Sequence, residues 1–105
     1  MKTRDAFTAI ADPTRREILD LLRARRIATA GEVAEAFAQV SRPAISRHLR
    51  VLKECGVVSA HKSGKLVNYV LNPTPLNEIR LGWLAGFADP TTQSLGKLRD
   101  KVERR

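Results

Sequence analysis

The sequence is poor in cysteine and in aromatic side chains: Cys55 is its one cysteine, and aromatic residues make up 5% of the chain. A single cysteine excludes an intramolecular disulfide framework and suits the reducing conditions of the cytoplasm. The chain also lacks an apolar run near the ~20 residues that span a bilayer, and its N-terminus lacks the apolar segment of a secretory signal. We therefore expect a cytoplasmic protein with no membrane partner.

Groups that carry catalysis or bind metals are also scarce. The chain shows no nucleophile with a matching base, no paired acidic cluster and no glycine-rich phosphate loop, so we do not expect an enzyme. Zinc generally takes about four ligands in a tetrahedral array, and His48, Cys55 and His61 lack a recognised ligand spacing. We therefore expect no metal site and no cofactor.

Acidic residues are few relative to basic ones. Lysine and arginine total 19 against 11 aspartates and glutamates, which leaves a formal net charge of +8 at pH 7. This balance indicates an anionic partner, and nucleic acid is the commonest for a domain of this size. With 105 residues, 43% of them hydrophobic, residues 1–105 should form a single small domain, and small domains often gain stability as oligomers.

What the chain does have is a helix with two distinct faces over residues 41–56. Ser41 can accept a hydrogen bond from the first turn, and Gly56 suits the left-handed position that ends a helix. The residues at the spacing of one buried stripe are Ile45, Leu49 and Leu52. Arginine and serine fall off that stripe, so the helix can lie in the major groove of DNA, where arginine reads guanine edges.

Helices are also predicted before this one. A first helix is predicted at about 4–11 and a second at 13–25, where Asp12 can act as the N-cap and Pro13 suits the first helical position. The second helix should bury the leucines and isoleucine of its apolar face.

A capping-box pattern opens the third helix. Thr29 and Glu32 can each satisfy a backbone donor of the other, which predicts a helix at about 30–38. A short turn then leads into the basic helix. Two short helices joined by a tight turn, the second one basic, indicate a helix-turn-helix at about 30–55.

The pattern changes after Gly56 to a β-rich stretch at about 57–71. Two strands flank Ser63-Gly64, which we interpret as a hairpin turn, with Lys62 and Lys65 beside its tip. A hairpin after a recognition helix is a wing, which can contact phosphates or the minor groove.

A last helical region is predicted at about 76–104, divided near Asp89-Pro90. It is apolar on more than one side and includes Trp83, so we expect it to pair, together with the helix at about 4–11, with a second copy of the chain. The predicted fold class is mainly α with a small β-hairpin: a winged helix-turn-helix domain with terminal dimerisation helices.

Two runs of sequence now carry a family resemblance. They are Ala11-Asp12-Pro13-Thr14-Arg15-Arg16 and Ser41-Arg42-Pro43-Ala44-Ile45-Ser46-Arg47-His48-Leu49. Over about residues 4–72 the chain resembles the ArsR-type winged-helix transcriptional repressors. The resemblance implies a homodimer that binds a palindromic operator and represses transcription, often of its own operon.

The chain departs from the metal-sensing members of that family. Arsenic and cadmium sensors of this type carry a cysteine pair in the helix before the recognition helix, and residues 31–37 contain no cysteine. Zinc sensors place Asp and His ligands on the terminal helix, whereas residues 76–105 contain neither histidine nor cysteine. The chain therefore resembles the short, metal-independent branch.

The DNA-binding residues are predicted from the exposed face of the basic helix and the hairpin tip. They are Ser41, Arg42, Pro43, Ala44, Ser46, Arg47, His48, Arg50, Lys62 and Lys65. For His48, burial with one satisfied nitrogen and contact with a phosphate are both open. Cys55 fits a small buried hydrophobe better than a redox switch, because reactive thiols need an exposed electropositive site.

The predicted function is that of a homodimeric, sequence-specific transcriptional regulator bound to double-stranded palindromic operator DNA. A repressor of its own or a neighbouring operon fits best. Two alternatives remain open: a metal- or redox-responsive sensor of the same fold that uses Cys55, and a winged-helix module that binds RNA or protein.

Overall fold

The computed structural model describes residues 5–87. Their elements in chain order are α1 (Ala6–Ile10), α2 (Pro13–Arg25), β1 (Ile27–Thr29), α3 (Ala30–Ala36), α4 (Arg42–Glu54), β2 (Val58–Ser63), β3 (Leu66–Leu71), α5 (Thr74–Leu81) and a 3-10 helix (Leu84–Phe87). The mainly helical fold with a β-hairpin is thereby confirmed.

Local capping explains where the first helices begin. The carboxylate of Asp12 accepts a hydrogen bond of 3.1 Å from the Arg15 backbone N–H, and Pro13 occupies the first helical position, so α2 begins as predicted. Asp5 caps α1 in the same way by accepting from the N–H of Thr8. The predicted first helix at about 4–11 is shorter in the structure, and residue 4 lies outside the described range.

The sheet has one strand more than expected. Hairpin strands β2 and β3 are present as predicted, but β1 adds a third antiparallel strand beside β3, in the order β1-β3-β2. The expectation of a two-stranded hairpin was incomplete, because a three-residue strand has no periodicity of its own. β1 forms by pairing Ile27 with Val70 and Thr29 with Asn68, far away in the sequence.

The hairpin turn lies one residue later than predicted. Ser63 belongs to β2 and pairs with Leu66, so the two loop residues are Gly64 and Lys65. Gly64 has φ +62°, which two-residue hairpin turns of the primed types require at their first position. Lys65 therefore stands at the tip itself, while Lys62 lies within β2 opposite Val67.

The hydrophobic core lies between α2, α3, α4 and the first residues of the hairpin. Its largest fully buried side chains are Ile18, Leu22, Val33, Ile45, Leu49, Leu52 and Val57. Within residues 5–87 no polar or charged residue is buried. This core fixes the orientation of α4, because three of those side chains form its inner stripe. No helix among the described residues is long and apolar enough to cross a membrane.

The terminal helical region begins earlier than predicted and is interrupted at Gly82. Helix α5 starts at Thr74 and stops at Gly82, whose N–H donates to the carbonyl of Glu78 at 2.8 Å. A Cβ at position 82 would lie 2.9 Å from that oxygen, so glycine permits this tight ending. The expected helix over about 76–104 is therefore confirmed over residues 76–81 and wrong at Gly82, which interrupts it before the 3-10 helix at Leu84–Phe87. The remainder, with the division near Asp89-Pro90, lies outside the described residues.

Candidate nucleic-acid interface

Helix α4 is closed at both ends by backbone-specific signals. The hydroxyl of Ser41 accepts a hydrogen bond from the Ala44 N–H at 3.2 Å, which satisfies one donor of the first turn. At the other end, Gly56 takes φ +79° and donates to the carbonyl of Lys53, while Val57 donates to the carbonyl of Leu52. These two bonds form a Schellman motif, so both predicted caps are confirmed.

The two faces of α4 differ as the sequence predicted. Ile45, Leu49 and Leu52 are at most 1% exposed and pack in the core. The exposed residues at its start and along its outer face are Ser41, Arg42, Pro43, Ser46, Arg47 and Arg50. Ala44 and His48 are half-buried at the boundary between the two faces. The outer face carries arginine and serine side chains without a carboxylate between positions 41 and 53.

Helix α3 stands immediately before α4 and is held by a complete capping box. Thr29 accepts from the Glu32 N–H at 3.1 Å, and the carboxylate of Glu32 accepts from the Thr29 N–H at 2.8 Å. That backbone hydrogen bond, with Arg25 at 3.5 Å, lowers the pKa of Glu32 below its ordinary value. The turn after α3 is closed by the Val40 N–H, which donates to the carbonyl of Phe37 at 2.9 Å.

The hairpin is fastened to the end of α4. The Asn72 side chain donates to the carbonyl of Gly56 at 2.9 Å, and the Asn72 backbone N–H donates to the carbonyl of Val57 at 2.8 Å. Lys62 and Lys65 are both exposed at the far end of this hairpin. The wing therefore projects from the C-terminus of the basic helix and carries positive charge at its tip.

His48 faces inward, toward the start of α2. Its Nδ1 lies 3.4 Å from a guanidinium nitrogen of Arg15, and its Nε2 lies 4.0 Å from the carboxylate of Asp12. Burial raises the pKa of Asp12, but the Arg15 backbone N–H and the nearby His48 together lower it by more, so the net pKa lies below its usual value. The structure thus places His48 at the inner boundary of the outer face, where it contacts the start of α2.

Sequence reasoning missed Arg15. It lies in the Ala11–Arg16 run quoted for the family resemblance, but its position outside the apolar stripe of α2 identifies it merely as polar. In the structure it is half-buried and reaches three backbone or side-chain partners on α1 and α4. The sequence feature that could have identified it is its position in the first turn of α2, three residues after the capping Asp12.

Cys55 lies in the core at 2% exposed, as the small-hydrophobe interpretation predicted. This environment is unlike the exposed electropositive sites in which thiols become reactive. Among the described residues, no group of three or more His, Cys, Asp and Glu side chains is close enough to hold a metal ion.

A second surface is apolar and lies where α1 meets the end of α5. The Phe7 and Trp83 rings meet edge-to-face with centroids 5.3 Å apart, and Trp83 meets Phe87 in the same manner at 4.6 Å. All three rings are nonetheless 43% exposed or more. Leu81 and Leu84, close to Trp83 in the sequence, are also exposed, and we define the aromatic patch as Phe7, Leu81, Trp83, Leu84 and Phe87.

Comparison with known sequences finds a helix-turn-helix family and a related transcriptional repressor. A family model described as "Helix-turn-helix domain" matches residues 10–59. Transcriptional repressor SdpR of Bacillus subtilis (strain 168) is 46% identical over 83 residues, which are 79% of this chain and 89% of that protein.

Solved structures agree with the sequence comparison. The crystal structure of a possible transcriptional regulator for arsenical resistance is 34% identical, with a TM-score of 0.72 over 89% of this chain and 95% of that one. An ArsR-like transcriptional regulator from Rhodococcus sp. RHA1 is 31% identical, with a TM-score of 0.71 over 95% and 89%. These proteins are DNA-binding transcription regulators, which are not a class of enzymes. The resemblance noted from the sequence is confirmed, and this chain belongs to the ArsR family of winged helix-turn-helix transcriptional regulators.

Proposed function

We propose that the protein is a homodimeric, sequence-specific regulator that represses its own or a neighbouring operon. The observation that carries this proposal is the outer face of α4. The helix is capped, its inner face is buried in the core, and its outer face exposes arginine and serine side chains. A related protein of Bacillus subtilis is named a transcriptional repressor, which supports repression over activation.

The chemistry of α4 suits the major groove. Arg42 and Arg47 are exposed and can present two parallel N–H donors to O6 and N7 of a guanine. Ser46 can bond to a base or a phosphate, and Pro43 and Ala44 are small enough for close approach to a thymine methyl. Further contacts in this proposal are Ser41 and Arg50 on phosphates.

The hairpin supplies a second, sequence-independent contact. Lys65 at the tip and Lys62 in β2 are exposed and can neutralise phosphates beside the half-site that α4 reads. Because the base of the hairpin is bonded to the end of α4, wing and reading helix should dock as a unit.

The aromatic patch supports pairing with a second copy. Its exposed rings and leucines lie outside the core, and monomeric proteins seldom leave such contiguous apolar area in water. A two-fold dimer would bury the patch against itself and present two reading helices to a palindromic operator. The half-sites would lie about 10–10.5 bp apart or a multiple of that spacing.

Binding-site selection from a random duplex pool, followed by titration of the enriched duplex at fixed salt, tests the proposal. Replacing Arg47 with alanine should weaken binding by about 1–3 kcal/mol. The matched control is Arg23→Ala, which removes the same charge from α2, where Arg23 pairs with Asp20 at 3.1 Å. Equal affinity of the Arg47→Ala variant and the parent protein, or preference for structured RNA over any duplex, would contradict the proposal.

A further inference from the structure

One guanidinium group joins the end of α1 to the reading helix. Arg15 donates from Nη2 to the carbonyl of Thr8 at 2.7 Å and from Nε to the carbonyl of Ala9 at 3.1 Å. Its remaining terminal nitrogen, Nη1, lies 3.4 Å from Nδ1 of His48 on α4. The Thr8 carbonyl also accepts from the Ala11 N–H at 3.2 Å, so Arg15 adds a second bond there and supplies one to Ala9 while it contacts α4.

The chemistry of the guanidinium sets the direction of a hydrogen bond between Arg15 and His48. A guanidinium can only donate, so in a hydrogen bond between these two groups Nδ1 of His48 is the acceptor. Nε2 faces the carboxylate of Asp12 at 4.0 Å, which is the favourable side for an N–H.

We propose that Arg15 and His48 are positioning residues for DNA recognition, which set the angle of α4 without touching DNA. His48 lies between Arg47 and the buried Leu49, so a shift at His48 moves the arginine that faces the groove. Bidentate base contacts tolerate little misalignment, and a loosened helix therefore loses affinity. This inference rests on the proposed reading of DNA by α4.

The neighbouring Arg16 provides a matched control. Its Nη1 donates to the carbonyl of Ile10 at 2.6 Å, so it also caps α1, but it does not share the link from Arg15 to α4. Arg15→Met and Arg16→Met remove the same charge from adjacent positions of α2. Titration of the selected duplex should show about a tenfold loss of affinity for Arg15→Met. For Arg16→Met we expect a change within a factor of about two.

Substitutions at His48 separate positioning from direct DNA binding. His48→Gln retains an oxygen that can accept from Arg15 and should keep most of the affinity, whereas His48→Leu should lose it. The double variant of Arg15→Met with His48→Leu should lose no more affinity than Arg15→Met alone, because Arg15→Met already removes the contact with His48. The slope of log affinity against log salt should stay unchanged, since every phosphate remains neutralised as in the parent protein.

Three results would overturn the inference. They are additive losses at Arg15 and His48, a shallower salt slope for Arg15→Met, and equal losses for Arg15→Met and Arg16→Met. Unfolding in urea, measured on every variant, ensures that the titrated protein is folded, and His48→Gln remains informative if Arg15→Met unfolds. Failure of the proposed function itself is recognised separately, because Arg47→Ala would then bind the duplex as tightly as the parent protein.

Discussion

Single residues decide where α4 ends and how the wing follows it. Gly56 adopts φ +79°, a region that strains residues with a side chain, and both Schellman hydrogen bonds depend on it. Its backbone carbonyl also accepts from the Asn72 side chain at 2.9 Å. The junction between α4 and the hairpin therefore depends on one backbone conformation.

Replacing Gly56 with alanine should destabilise the protein by about 1 kcal/mol, because a left-handed conformation is costly for alanine. The steric surroundings add little, since the new Cβ would lie 4.0 Å from Pro75. Urea unfolding measures the effect. Gly31→Ala is the control: Gly31 lies inside α3 with 3.9 Å to its nearest neighbour, and alanine there should stabilise by about 0.5–1 kcal/mol. Shifts of the same sign in the two variants would contradict this explanation.

Residues that act within one turn could be predicted from the sequence, whereas those that act through space could not. Ser41, Thr29 and Asp12 cap their helices by bonds to the third residue along, a spacing that is visible in the chain. Arg15 and His48 are separated by 33 positions. Their contact depends on how α2 packs on α4, which no local pattern encodes.

At the scale of elements, short helices and strands form because their neighbours support them. Helix α3 has seven residues, too few for stability on its own, and its capping box satisfies backbone donors at its start. The strand β1 likewise exists through its pairing with β3. The end of α5 at Gly82 escaped prediction for the opposite reason, since apolar spacing continues past the point where the backbone turns.

The capping box makes part of the stability depend on pH. The Thr29 backbone N–H lowers the pKa of Glu32, so the charged carboxylate is favoured by folding. Its contribution is complete above the ordinary value of 4.5 and is lost as the pH falls below it. Glu32→Gln should therefore lose less stability than the parent protein between about pH 6 and the acid range in urea unfolding. Glu35→Gln on the same helix is the control, and equal acid sensitivity of Glu32→Gln and the parent would refute this prediction.

The phosphate contact proposed for the tip of the wing can be tested separately at Lys65. Lys65→Gln should weaken binding to the selected duplex and to a scrambled duplex by the same factor, since phosphates carry no sequence information. The salt slope should fall by about 1 for each phosphate that the variant no longer neutralises. Arg80→Gln, which removes an exposed charge from α5, should leave both quantities unchanged. A Lys65→Gln variant with an altered base preference would show that the tip reads sequence instead.

At the scale of the whole molecule, the chain combines a strongly basic charge with a patch of exposed aromatic rings. The formal net charge of +8 favours a polyanion, and the aromatic patch favours an apolar partner. Composition predicted the first property and the apolar terminal region predicted the second. The rings of Phe7 and Trp83 meet because α1 packs near the end of α5. This contact joins residues far apart in the sequence, so it could be seen only in the folded structure.

If two copies pair through the aromatic patch, a charge introduced there should lower the mass at which the protein sediments. Trp83→Glu should shift the protein from dimer to monomer in sedimentation, because a carboxylate would be buried without a partner. Ile27→Glu is the control, since Ile27 is 48% exposed on β1 outside the aromatic patch. A parent protein that sediments as a monomer, or a Trp83→Glu variant that remains dimeric, would rule out this interface.

The most direct measurement compares the duplexes selected from a random pool by the parent protein and by Arg47→Ala. The parent should enrich two inverted half-sites about 10–10.5 bp apart, or a multiple of that distance. The variant should lose its preference at one base pair in each half-site, symmetrically, while the spacing stays the same. The same enriched sequence for both proteins, or no enrichment by the parent, would contradict the assignment of α4 as the reading helix.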